Sequence, residues 1–153
     1  MAQDKRLEQS KLFTPYKLGG VTLRNRVIRS EAFESMGRDF APTEALKEYH
    51  VSVARGGVGM TTVAYASINR SGISFNKQLW LREEIVPQLR ELTDAVHNEG
   101  AAVGIQLGHC GNMTHWSTAG SFPVSASNGF NLYSPTFHRR MTKAEIKAFA
   151  KDF

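Results

Sequence analysis

Strand, helix and strand succeed one another along this chain, and glycine clusters mark the joints. Ala54-Arg55-Gly56-Gly57-Val58-Gly59 closes a helical stretch and opens an apolar one rich in β-branched residues. Ile105-Gln106-Leu107-Gly108-His109-Cys110-Gly111 closes a later strand and opens a loop. A strand–helix–strand order calls for a parallel sheet, because the helical crossover returns the chain to the same end of the sheet. Parallel sheets carry their ligand chemistry at the carboxyl ends of the strands. The second cluster sets an amide, an imidazole and a thiol at such an end.

The local signals fill in the rest. Leu18, Gly19-Gly20 and Val21-Thr22-Leu23 spell a short hairpin. Val27-Ile28 predicts a buried strand that ends near Ser30 to Phe33. Thr43 is an expected N-cap, with Glu44 in the first turn where the helix dipole favours a carboxylate. Ala45, Leu46, Tyr49, Val53 and Ala54 recur at helical spacing as an apolar face, and Gly56-Gly57 ends the helix. Residues 58–66 predict the second core strand. Pro87 opens the next helix, Leu89, Leu92 and Val96 mark its inner face, and Gly100 marks its exit. Residues 101–107 predict the third core strand. Residues 109–141 read as one long connection without periodicity, of the kind that forms lids or stays disordered. Thr142-Lys143-Ala144-Glu145 is a capping box, and Ile146, Phe149, Ala150 and Phe153 form an apolar stripe behind it.

Right-handed crossovers make the three core strands parallel and adjacent. A doubly wound sheet and part of a (β/α)8 barrel both satisfy this order. No Gly-x-Gly-x-x-Gly follows the first strand, which argues against a dinucleotide-binding start. Residues 1–11 read as a flexible leader and residues 12–153 as one structural segment.

Composition narrows the class. Apolar residues make up 41% and charged residues 22% of 153, a globular balance. The one cysteine, Cys110, excludes an intrachain disulfide and fits a reducing, cytoplasmic setting. No secretory leader and no stretch of membrane-helix length is read. Asn69-Arg70-Ser71 and Asn112-Met113-Thr114 match a glycosylation sequon by chance on this reading. The net charge of +5 is spread among acids with no aromatic stacking platform, so nucleic acid is not expected as a partner. Cys110, His109 and His115 lack the second ligand pair of a tetrahedral zinc site, so no metal is expected. Nothing marks Cys110 as an activated nucleophile. Trp80, Trp116 and Phe122 read as core or loop packing.

Four motifs occur together in order: Leu12-Phe13-Thr14-Pro15, Leu23-Arg24-Asn25-Arg26-Val27, the 54–59 cluster and the 106–111 cluster. With Met141-Thr142 and Glu145-Ile146, they make residues 11–153 resemble the N-terminal part of the Old Yellow Enzyme family of FMN-dependent NAD(P)H:flavin oxidoreductases. The resemblance implies an incomplete (β/α)8 barrel, with about three parallel strands after the hairpin and the chain stopping within the third helix. It implies FMN as cofactor and NAD(P)H as reductant of activated alkenes such as enones, with little activity expected of this chain alone. The implied cofactor contacts are Ser30, Glu31, Ala32 and Phe33 at the end of the first strand, Ala64 and Tyr65 at the end of the second, and the Gln106 amide. A carboxamide suits a flavin edge that alternates donors and acceptors. Glu31 and Ala32 stand where the family usually has Pro and Met, and Phe33 where it has a hydroxyl or thiol. His109 matches the family's His-x-Gly and either lines the active site or holds the long loop, with the balance towards the loop. Asn112 stands where an arginine usually follows. The expected partners are a small enone-type substrate and either a complementary C-terminal half or a second copy of the chain, with no membrane.

Overall fold

A computed structural model describes residues 10–153. Residues 1–9 of the expected leader lie outside the described residues, and Lys11–Phe13 form a single 3-10 turn capped by the Ser10 hydroxyl. The elements in chain order are β1 (Tyr16–Leu18), β2 (Val21–Leu23), β3 (Ile28–Arg29), α1 (Glu44–Arg55), β4 (Met60–Ser67), α2 (Val86–Asn98), β5 (Ala102–Gly108), α3 (Trp116–Ala119), β6 (Val124–Ser125), β7 (Gly129–Asn131), β8 (Thr136–Arg140) and α4 (Lys143–Asp152).

Strands β3, β4 and β5 form one parallel sheet in that order, with Ile28 opposite Met60 and Met60 opposite Ala102. The β1–β2 hairpin turns at Gly19-Gly20. Helices α1 and α2 cover one face of the sheet. Leu46, Val51 and Ala54 of α1 and Leu92 and Val96 of α2 pack with Val63, Ala66, Leu79 and Ala101 into the core. The buried face of α1 is Leu46, His50, Val51 and Ala54, whereas Ala45 is exposed. The expected apolar stripe was therefore offset, and it missed a histidine that is fully buried.

The opposite face of the sheet is open. Ile28 is 46% exposed, because β3 is an edge strand of two residues and no described element packs on that side. The expectation of a buried first strand fails for this reason.

The closing signals act as their chemistry requires. Thr43 Oγ1 accepts from Leu46 N at 3.3 Å. Gly57 adopts φ +101°, and a Cβ on Gly59 would lie 2.3 Å from the Asn25 carbonyl oxygen, so neither position tolerates a side chain. The Arg24 guanidinium donates to Val58 O at 2.9 Å, to Glu99 O at 2.8 Å and to Ala54 O, joining the carboxyl ends of α1 and α2 at one pole. At the start of α4 the capping box is complete. Hydrogen bonds from Arg139 and from Thr142 hold the Glu145 carboxyl down to about 2.

Residues 109–141 are not one aperiodic connection. They contain α3 and a small sheet in the order β6-β8-β7, with β6 parallel and β7 antiparallel to β8. Helix α4 is amphipathic, but it buries none of its residues, and Ile146 and Phe153 remain largely exposed.

Two substitutions separate the covered face from the open one. Leu92→Ala is expected to lower unfolding stability by about 2–5 kcal/mol. Ile28→Ala is expected to change it by less than about 0.5 kcal/mol. Urea unfolding followed by circular dichroism checks both, and equal losses would contradict the one-sided core.

Candidate functional site

The carboxyl ends of β3, β4 and β5 lie at one pole, and the chain after each strand converges there. One carboxylate organises the convergence. The Glu34 side chain is only 5% exposed. It receives Arg29 Nη1 at 2.7 Å and accepts from the Ala64 backbone N–H with both oxygens at 3.2 Å. His50 Nε2 stands 3.3 Å from Glu34 Oε1, off the hydrogen-bonding direction. His50 Nδ1 is held by Thr61 Oγ1 at 2.8 Å. Arg29 also donates to Thr62 O at 2.5 Å and to Ala32 O at 3.0 Å, and it lies over the Tyr49 ring at 5.2 Å. Burial pushes the Glu34 carboxyl up, but His50, its own backbone amide and Arg29 outweigh that and hold it below its ordinary value.

Strand β4 is irregular where Glu34 meets it. Val63 pairs with Ile105 and Ala66 with Leu107, so Ala64 and Tyr65 bulge out of the ladder. Bulges re-aim side chains and release backbone groups beside active sites. The Ala64 N–H is committed to Glu34, while the Tyr65 ring turns over Gly108, whose added Cβ would lie 3.3 Å from Tyr65 Cδ2.

The sequence-derived residues are brought together. Gln106 Nε2 donates to Glu31 Oε1 at 3.2 Å across the open face of the sheet. Ala32 offers its carbonyl to Arg29. Phe33 stacks on Phe75 at 4.9 Å and meets Tyr65 at 6.1 Å. Ser30 is exposed at the end of β3. His109 is spent on its own surroundings. Gly111 N donates to its Nδ1 at 3.0 Å, so the ring is neutral and its Nε2–H faces Ser71 Oγ at 3.1 Å. The ring stacks on Phe149 at 4.5 Å, which ties α4 to this loop, and burial lowers its pKa.

A cleft of about 530 Å3 opens beside the strand ends, lined in part by Tyr65, Ser74, Phe75, Cys110, Met113 and Tyr133. Its walls are the loops after β4 and β5, cross-linked by Cys110 N to Gly72 O at 3.2 Å and by Thr114 Oγ1 to Ile73 O at 2.7 Å. Burial raises the pKa of both the Tyr65 phenol and the Cys110 thiol. Cys110 is thus a protonated wall group.

Glu34 and His50 escaped sequence reasoning. A signal for them exists: His50 falls at helical spacing between Leu46 and Ala54, and a histidine on a buried face needs a polar partner.

Residues 11–153 match the profile of the NADH:flavin oxidoreductase / NADH oxidase family, and the chain belongs to that family. Its members are oxidoreductases that bind FMN and use NAD(P)H as reductant. It is 41% identical over 145 residues to a probable N-methylproline demethylase of Rhizobium meliloti, covering 93% of this chain and 21% of that protein. It is 38% identical over 148 residues to an NADPH dehydrogenase of Listeria welshimeri, covering 94% and 43% respectively. The solved old yellow enzyme homologue from Zymomonas mobilis superposes with a TM-score of 0.84 at 25% identity, over 94% of this chain and 43% of that one. The chain thus spans between a fifth and under half of these proteins, and its fold is the N-terminal portion of their (β/α)8 barrel, not a doubly wound sheet.

Glu34 imposes an acid limit on stability. Its carboxyl is lower in the folded chain than its ordinary value of 4.5, so its contribution is fully present above that value. The contribution is lost as pH falls through the folded value. Glu34→Gln is expected to be less stable at neutral pH and to lose much of this acid dependence. Urea unfolding of both proteins from pH 7 to pH 3 tests it, and parallel pH profiles would contradict the assignment.

Proposed function

We propose that this chain forms one wall of the flavin site of an FMN-dependent NAD(P)H oxidoreductase whose substrates are activated alkenes such as enones. The observation that carries the reading is the convergence of Glu31, the Ala64–Tyr65 bulge and Gln106 at one pole of a parallel sheet. The donor set suits an isoalloxazine edge. The Gln106 carboxamide offers a donor and an acceptor, and the bulge leaves backbone groups of Ala64 and Tyr65 outside the ladder. The chemistry that FMN supplies when bound is hydride-equivalent transfer between NAD(P)H and the alkene.

The roles of the chain's own residues follow from their surroundings. Ser30, Glu31, Ala32 and Phe33 border the cofactor at the first strand end, and Ala64 and Tyr65 do so through main chain. Gln106 orients the ring edge, steadied by Glu31. Glu34 holds the first two strand ends in register. His109 positions the loop after β5. Phe33 stands where a hydroxyl or thiol would adjust the flavin, and its ring packs on Phe75 instead. The cleft lined by Tyr65 and Cys110 adjoins this wall, and it contains no Lys, Arg, Asp or Glu, which suits an uncharged substrate. A reducing, cytoplasmic setting fits the one half-buried thiol.

A second reading rests on the uncovered surfaces. The open face of the β3–β4–β5 sheet exposes Ile28, and α4 exposes Ile146 and Phe153. A complementary C-terminal half, or a second copy of the chain, would cover them and supply further strands. On both readings the chain alone binds FMN weakly and turns over little.

Gel filtration with added FMN is expected to yield colourless protein. FMN fluorescence titration is expected to show weak quenching that Gln106→Ala reduces about tenfold, the worth of one buried hydrogen bond. Yellow protein after filtration would overturn the weak-binding expectation. Equal quenching by wild type and Gln106→Ala would overturn the flavin wall.

A further inference from the structure

Gln106 stands alone on its side of β5. Val103 and Ile105 pack against the core, so Gly104, Gln106 and Gly108 share the open face of the sheet. The two glycines offer no side chain to lean on, and a Cβ on either would come against Met60 or Tyr65 of β4. A long carboxamide without neighbours on its own strand samples several rotamers. Its brace comes from the end of β3 instead, where Glu31 Oε1 accepts from Gln106 Nε2 at 3.2 Å. This contact admits one orientation of the amide. A carboxylate oxygen only accepts, whereas a carboxamide donates at one end and accepts at the other. Turned over, Gln106 would set its carbonyl oxygen against the Glu31 oxygen with no proton between them. Among the described residues no donor reaches Gln106 Oε1, and Glu31 forms no ion pair. The pair therefore leaves free acceptors on the open face, the Gln106 carbonyl and the second Glu31 oxygen. The proline that the family usually has at position 31 could hold no amide, so this fixed orientation belongs to this chain rather than to the fold.

We infer that Glu31 is a positioning residue, which locks the Gln106 carboxamide with its carbonyl free and so makes the strand-end wall select a ring edge that carries an N–H donor. This deepens the flavin reading and rests on it. Oxidised isoalloxazine has one ring N–H, at N3, and an alkyl group there removes it. A donor edge satisfies the free acceptors, while an alkylated edge leaves them unpaired and desolvated. Holding the amide in place beforehand also spares the side-chain ordering that binding would otherwise require.

Lumiflavin and 3-methyllumiflavin, which share the ring and lack the phosphate, differ only at that donor. The fluorescence of each is titrated with the full chain. Wild type is expected to bind lumiflavin about tenfold more tightly than the methylated ring. Glu31→Gln, whose amide holds Gln106 either way round, is expected to keep about a threefold preference. Glu31→Lys is expected to abolish it, because an ammonium only donates and draws the Gln106 carbonyl to itself. Glu31 is exposed, so these replacements leave the core untouched. A second readout needs no flavin. The Gln106 side-chain amide pair, identified in proton–nitrogen correlation spectra by its loss in Gln106→Ala, is expected to move in Glu31→Lys as its N–H is released. No preference in wild type, an undiminished preference in Glu31→Lys, or an unmoved amide pair would each overturn the inference. Equal binding of lumiflavin by wild type and Gln106→Ala would sink the flavin wall itself. A preference lost with Gln106→Ala but kept with Glu31→Lys would sink the inference and leave that wall standing.

Discussion

A buried carboxylate between three elements holds the pole of this sheet together. Glu34 lies just beyond the first strand end, yet its partners come from β3, β4 and α1. An ionised carboxylate in an apolar interior is costly unless its oxygens are matched by donors. Here Arg29 and the Ala64 N–H meet that need, the His50 ring lies beside the carboxylate, and Thr61 holds the other nitrogen of the imidazole. Removing one member of such a set leaves the others desolvated and unpaired, a loss of about 3–5 kcal/mol for buried pairs. The network also fixes position. It sets the backbone of Ala64 where the strand leaves its ladder, and through Arg29 it sets the Ala32 carbonyl.

The site follows from that arrangement. Once Ala64 is pinned, Tyr65 is the residue that turns out of the sheet, and its ring comes over Gly108, where no side chain opposes it. The loop after β4 then lies against the loop after β5, and bonds from Cys110, Thr114 and His109 join the two. His109 extends the same packing to α4 through Phe149. The strand-end wall proposed for the flavin and the cleft therefore share one structural origin, the bulge beside a paired carboxylate.

Much of the frame was legible in local sequence. Gly19-Gly20, Thr43, Gly57 and Thr142 act over a few residues, through backbone conformation or a single hydrogen bond, so their chemistry can be read where it stands. The parallel order of β3, β4 and β5 was legible for a similar reason, because each crossover carries its own helix signal. The region 109–141 was not. Its strands are two, three and five residues long, and β6 pairs with β8 across the intervening β7, so no period builds up within any one of them. The buried first strand was misread because Val27-Ile28 looks the same on a covered sheet face as on an open one.

The sequence by itself determined the order of the main-sheet strands and of the helices between them, the parallel sense of that sheet, the family and the residues near its strand ends. These depend on short-range stereochemistry and on the order of motifs along the chain. Tertiary structure alone decided that Glu34 and His50 meet, that Gln106 reaches Glu31 and that Tyr65 and Cys110 line one cleft. These pairs are 16, 75 and 45 residues apart in sequence. Only packing of the helices on one face of the sheet sets their separation, because a buried charge or a turned ring is stable only when distant groups arrive to meet it.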